Sequence, residues 1–151
     1  MNIVVRQAVR EDIPAMHRVR KAVRENKLAI NTKIHEDAYV PYLETIGRGW
    51  VLEEDGVVVA FAIGEHRTGN IWAVFVHQDH EGKGYGRKVQ QPMIEWLFDQ
   101  GLDRIHLTTG AGTRAQRFYT ATGWTFTGID VHGDAAFERL RQGAAADQQP
   151  V

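Results

Sequence analysis

The stretch Val74-Phe75-Val76-His77-Gln78-Asp79-His80-Glu81-Gly82-Lys83-Gly84-Tyr85-Gly86-Arg87 joins a β-branched and aromatic run to a helical one. The run from Ile71 to His77 predicts a strand, and the segment beyond the glycines predicts a helix to Gln100. Backbone N–H groups that open a helix have no internal partner, and the helix dipole adds positive character there. Such a place suits a phosphate or pyrophosphate, and glycine lets the phosphate meet the backbone directly. Lys83, Arg87 and Lys88 add charge. The stretch lacks the spacing and the Lys-Ser/Thr ending of a P-loop, and Arg87 stands where a dinucleotide fingerprint needs its third glycine. A phosphate cradle and a plain tight turn both remain open at this point.

Working outward, Ile3–Val5 predicts a first strand, and Glu11-Asp12-Ile13-Pro14 an acidic helix start with proline in the first turn. Ile13, Met16, Val19 and Val23 recur at helical spacing, which extends that helix to about Glu25. Asn26–Glu36 reads as a loop, and Asp37–Ile46 as a second helix whose start Pro41 limits. Asp55-Gly56 between Trp50–Glu54 and Val57–Ile63 is a hairpin signal, and Thr68-Gly69-Asn70 is a further turn. Pro92 falls inside the helix after the glycines and is expected to kink or loosen it. Arg104–Thr109 predicts a strand, and Thr113-Arg114-Ala115-Gln116 has capping-box spacing for a helix that ends at Thr122-Gly123. Trp124–Val131 and Ala135–Leu140 close the chain as strands. The order β-α-α-β-β-β-α-β-α-β-β predicts an α/β (α+β) fold with a mixed, mostly antiparallel sheet and helices on both faces. Residues 1–141 form one domain on this reading, and 142–151, small and polar, a disordered tail.

The 151 residues, 43% hydrophobic and 25% charged, suit one globular domain. Eighteen Lys and Arg against nineteen Asp and Glu argue against a nucleic-acid binder, which needs a basic excess. The absence of cysteine removes disulfides, thiolate metal sites and any cysteine intermediate. No apolar run reaches membrane-spanning length, and Met1–Arg10 lacks the apolar core of a signal peptide, so a cytoplasmic protein with no membrane partner is expected. No metal-ligand spacing stands out among the seven histidines.

Two motifs in order resemble the Gcn5-related N-acetyltransferase (GNAT) superfamily. Its signature Arg/Gln-x-x-Gly-x-Gly/Ala reads here Glu81-Gly82-Lys83-Gly84-Tyr85-Gly86. Its second signature, Ala-x-x-x-Tyr-x-x-x-Gly-Phe, is similar to Ala115-Gln116-Arg117-Phe118-Tyr119-Thr120-Ala121-Thr122-Gly123-Trp124. The resemblance runs from Ile3 to about Leu140. Glu81 departs from the usual Arg or Gln and sets a negative charge beside an anion site; Gln78 and Gly112 replace a common proline and asparagine. A cradle of backbone amides is expected to survive these changes.

The resemblance implies acetyl-CoA as co-substrate and a primary amine as acceptor, attacked directly in a ternary complex. It implies that Val74, Phe75 and Val76 offer backbone to the pantetheine arm and polarise the thioester carbonyl. Gly82, Lys83, Gly84, Tyr85, Gly86 and Arg87 then hold the pyrophosphate, and Arg114 and Arg117 either approach the CoA phosphates or solubilise the last helix. Tyr119 matches the residue that protonates the leaving thiolate, the bland alternative being a core aromatic beside Phe118. Glu65, His66, His77 and His106 are candidates for the general base, none preferred. Glu36, Asp37 and Glu44 line the acceptor site or form a solvated helix face. The acceptor, a small-molecule amine or a protein amino group, stays open. So does a non-catalytic acyl-CoA sensor, and homodimers are frequent among relatives.

Overall fold

Asp55 and Gly56 both take positive φ, 52° and 85°, the mirror-image turn whose twist matches two antiparallel strands. In the computed structural model, which describes residues 1–23 and 35–142, this turn joins β2 (Gly47–Glu54) to β3 (Val57–Glu65). The register runs Glu54↔Val57 to Gly47↔Glu65 with one shift at Leu52/Glu53. β1 (Ile3–Gln7) lies outside β2, and β4 (Ile71–Val76) pairs with β3 on the other side. The first sheet is thus β1-β2-β3-β4, wholly antiparallel.

A second antiparallel sheet has the order β5-β7-β6, from β5 (Arg104–Gly110), β6 (Thr125–Ile129) and β7 (Asp134–Leu140). A single parallel bridge, Asn70↔His106, links the two sheets, with the His106 amide donating to the Gly69 carbonyl at 2.9 Å. Beyond it no ladder joins β4 to β5 among the described residues. The expected mixed sheet is therefore two antiparallel sheets that touch at one end and part at the other.

Alternation along the strands buries both faces of the first sheet. Trp50, Leu52, Ala60 and Ala62 pack with Val89, Met93 and Leu97 of α3 (Tyr85–Asp99). Val51, Phe61 and Ile63 face the other way, against Met16 and Val19 of α1 (Ile13–Lys21) and Tyr39 and Leu43 of α2 (Tyr39–Glu44). Helices thus cover both faces, as expected. Pro14 sits in the first turn of α1, where its missing N–H costs nothing. α3 continues through Pro92 to Asp99. The second helix is shorter than expected, because Glu36–Ala38 is a 3-10 turn ahead of α2. α4 (Arg114–Ala121) starts at Thr113, whose hydroxyl accepts from the Gln116 amide at 3.2 Å. Gln116 reaches back one residue further than a capping box would, to the Gly112 amide at 2.6 Å. The expected end of α1 at Glu25 and most of the Asn26–Glu36 loop lie outside the described residues, as does nearly all of the tail.

Candidate active site

Hydrogen-bond alternation decides what β4 offers. The His77 amide donates to the Val59 carbonyl at 2.8 Å, and Phe75 stands opposite Phe61 in the same ladder. In an antiparallel pair alternate residues bond to the partner strand. Phe75 and Ala73 therefore spend their peptide groups on β3, while those of Val74 and Val76 point to the open side, towards β5. An extended ligand arm can bond there as an added strand does.

The chain then turns through Gln78–His80, with the His77 ring nitrogen accepting from the Asp79 amide at 3.1 Å. Gly82 and Gly84 take φ of 82° and 80°, a region that side chains disfavour, and a Cβ on either would meet open space. No side chain caps α3, and its first internal bond runs from the Lys88 amide to the Gly84 carbonyl at 3.2 Å. The amides of Tyr85, Gly86 and Arg87 are left for an external anion. Gly86 is different. A Cβ there would stand 2.9 Å from Cε1 of Phe118 and 3.5 Å from Cγ2 of Val76, so this glycine lets α4 close against α3.

These elements line one cleft of about 810 Å³. Val74, Phe75 and Val76, the glycine loop, Tyr85, Gly86 and Arg87 form one wall; Leu107–Gly110 and α4 form the other. Lys83 is not on the lining: its ammonium lies 3.2 Å from Glu54 and 3.1 Å from the His80 ring. The Tyr85 hydroxyl also donates to Glu54, which pushes its own pKa up to about 12. Glu81 lines the cleft with its carboxylate 3.1 Å from Nε of Arg114, so the unusual negative charge is answered by a cation of the opposite wall. Arg87 and Arg117 also reach the lining.

Tyr119 lines the cleft and is 6% exposed, ringed by Phe118, Trp124 and Phe137. Burial pushes its pKa well above the ordinary phenol value, so it holds its proton at neutral pH. Tyr39, also buried, has its hydroxyl 3.2 Å from Nδ1 of His17.

None of the four base candidates lines the cleft. Burial pushes Glu65 up, but bonds from the Thr68 hydroxyl and the Arg67 and Thr68 amides outweigh it and hold the carboxylate below its usual range. It ties the β3–β4 turn. His106 contacts the Thr68 carbonyl at 3.2 Å, His77 takes the Asp79 amide, and His66 packs edge-on to Trp96 at 5.5 Å. Glu44 bonds Arg10, Glu36 and Asp37 are in the 3-10 turn, and none of these three lines the cleft. Sequence reasoning missed Trp72, Thr108, Thr109 and Asp134, all on the lining. Asp134 stands opposite Gly110 in the β5–β7 ladder; starting the last strand at Ala135 had left it in a loop. Among the described residues no group of three or more His, Asp or Glu is placed to hold a metal, and no helix is long and apolar enough to cross a membrane.

No curated protein sequence matches the chain. Solved structures do. An N-acetyltransferase from Staphylococcus aureus Mu50 superposes with a TM-score of 0.76 at 20% identity, over 93% of this chain and 99% of that one. The PaiA N-acetyltransferase from Thermoplasma acidophilum, solved with coenzyme A, gives 0.73 at 12% identity over 93% and 100%. The ribosomal-protein-S18-alanine N-acetyltransferase from Escherichia coli gives 0.71 at 17% identity over 91% of each chain. At these identities the likeness establishes the fold. The family model for the acetyltransferase (GNAT) family matches residues 16–124, from the middle of α1 past the end of α4. That match spans the open strand, the glycine loop and the tyrosine helix in one run, and the chain belongs to the acetyltransferase (GNAT) family, whose shared chemistry is acetyl transfer from acetyl-CoA.

Proposed function

We propose that the cleft binds acetyl-CoA and passes its acetyl group to a primary amine by direct attack in a ternary complex. The observation that carries this reading is the run of unspent backbone along one wall. The free peptide groups of Val74 and Val76 lead into the uncapped amides of α3 along the same wall of the cleft. Gly82, Gly84 and the Tyr85–Arg87 amides take the pyrophosphate, and Arg114 and Arg117 lie close enough to add charge. A β4 amide polarises the thioester carbonyl as the amine nitrogen bonds to its carbon. Collapse breaks the C–S bond, and Tyr119 gives its proton to the thiolate.

The amine must shed a proton, and Asp134 is the cleft carboxylate other than the paired Glu81. It takes that proton on this reading. The transferase occupies residues 1–141. Because the E. coli neighbour is named for a protein alanine, peptide amino termini belong beside amino acids and polyamines in the acceptor panel. Calorimetry with acetyl-CoA, followed by free-thiol release across that panel, tests the proposal. Binding without thiol release from any amine would instead favour an acyl-CoA sensor.

A further inference from the structure

Arg20 is 4% exposed, yet its guanidinium forms no ion pair with any described residue and its buried Nε has no hydrogen-bond partner. The contrast within the chain is sharp. Arg6, Arg10, Arg67, Arg104, Arg114 and Arg141 are all far more exposed, and each reaches a carboxylate. What surrounds Arg20 is aromatic: its Cζ lies 4.4 Å from the ring centre of Trp72, 4.9 Å from Phe75 and 5.4 Å from Tyr39. Tyr42 stacks on Trp72 at 4.2 Å and holds that ring in place. Ring faces attract the cation but accept none of its five N–H donors in the plane of the fork. A buried guanidinium is retained against its desolvation only where an anion completes it.

Position says which anion. Arg20 itself is not on the cleft lining, but two of its ring neighbours, Trp72 and Phe75, are, and both lie on β4, the strand whose Val74 and Val76 face the proposed thioester. Val23, whose amide donates to the Arg20 carbonyl at 3.2 Å, lines the cleft as well. We propose that Arg20 receives the carboxylate of the acceptor, so that the amine acetylated here is a small one carrying a carboxylate, as an amino acid does. This deepens the acetyltransferase reading and rests on it for the amine. The aromatic cage fixes the guanidinium plane, and a bidentate carboxylate then fixes the amine relative to β4.

The test uses matched acceptors, amino acids and their carboxamides, with acetyl-CoA and the full chain. The parent is expected to favour the acid over the amide in kcat/KM by about 10- to 100-fold, the size of a charge-assisted hydrogen bond. Arg20→Gln should bring that ratio close to one by lowering kcat/KM on the acid, with the affinity for acetyl-CoA kept. Arg20→Lys should recover part of the preference. A parent that acetylates amides as well as acids overturns the proposal without any variant having to fold, and so does a Gln variant that keeps the preference. Glu25, the one carboxylate of residues 24–34, supplies the rival partner. A parent without acid preference, together with non-additive destabilisation by Arg20→Gln and Glu25→Gln, would assign the guanidinium to Glu25 and sink the idea. Should no amine be acetylated, calorimetric titration of the acid and amide into the acetyl-CoA-loaded protein still decides: acid-selective binding keeps the carboxylate site while the transfer reading falls.

Discussion

Glu81 and Arg114, thirty-three positions apart, meet at 3.1 Å and tie the residue before the glycine loop to the first turn of α4. Both side chains are partly exposed, 30% and 54%, so the pair is worth roughly 0–1 kcal/mol of stability. Its effect is on charge: it neutralises a carboxylate beside the proposed anion site. Glu81→Gln is therefore expected to unfold within about 1 kcal/mol of the parent and to bind acetyl-CoA at least as tightly. Calorimetry in low salt reads this most clearly, and weaker binding would show that the carboxylate positions Arg114 for the ligand.

The two glycines of α3's start separate binding from folding. Gly84→Ala forces a side chain into left-handed backbone, costing about 1–2 kcal/mol, or else shifts the amides that follow. Binding of acetyl-CoA should suffer first. Gly86→Val drives its branches into Phe118 and Val76, an overpacking that costs about 1–3 kcal/mol. Thermal unfolding and calorimetry measured side by side should show the first variant losing affinity with a modest fall in Tm, the second losing both.

Tyr119→Phe should lower kcat by about 100-fold or more while acetyl-CoA affinity stays level, since the hydroxyl is proposed to act only as the thiolate departs. Its hydroxyl makes no hydrogen bond to a described residue, so the variant should unfold close to the parent; Tyr39→Phe, which breaks the bond to His17, should not. Because burial raises the Tyr119 pKa, the acid stays protonated through the ordinary phenol value of 10.0. An alkaline loss of rate below that pH belongs to another group. Asp134→Asn should depress kcat most at low pH, where the free amine is scarcest. An unchanged profile would remove Asp134 as proton acceptor.

Acid stability turns on Asp12. Arg6 grips both its carboxylate oxygens, at 2.8 and 2.9 Å, and the Val9 amide adds a third bond at 2.8 Å. The Arg6 bonds lower its pKa, burial opposes them, and the Val9 amide helps, for a net fall below 3.8. A carboxylate with a depressed folded pKa stabilises fully above its unfolded value and loses that contribution as pH falls through and below it. Denaturant midpoints should therefore drop below about pH 4. Asp12→Asn should be about 1.5–3 kcal/mol less stable at pH 7 and show a flatter acid limb.

Local chemistry in the sequence carried the elements and their order. Asp55-Gly56 announces its hairpin because few residues tolerate that turn, and Gly82-Lys83-Gly84 marks a strand-to-helix junction for the same reason. The cleft wall was legible where backbone builds it, at Val74–Val76 and at Gly82, Gly84, Tyr85 and Gly86, all on the lining. It was not legible where long side chains choose among distant partners. Lys83 turns to Glu54, Glu65 folds onto its own turn, and Asp134 enters the cleft only because β7 pairs with β5 in one register. No local pattern encodes such pairings. Nothing local in the sequence separates Arg20 from Arg18 or Lys21, and only tertiary packing shows it enclosed.

The parting of β4 from β5 also decides which edges of the protein other chains can reach. An unpaired strand edge is a template for unwanted association. The bare edge of β4 faces inward across the cleft, so a slender ligand can use it while another polypeptide's sheet is kept off by the opposite wall. The outer edges are β1 and β6. β6 leaves Phe126 and Ile129 exposed, and its ladder is broken between Phe126 and Gly128, an irregularity that twists the edge away from flat pairing. Self-association of this chain through strand edges should therefore be confined to the outer edges, β1 and β6, while the gap between β4 and β5 takes no part in it.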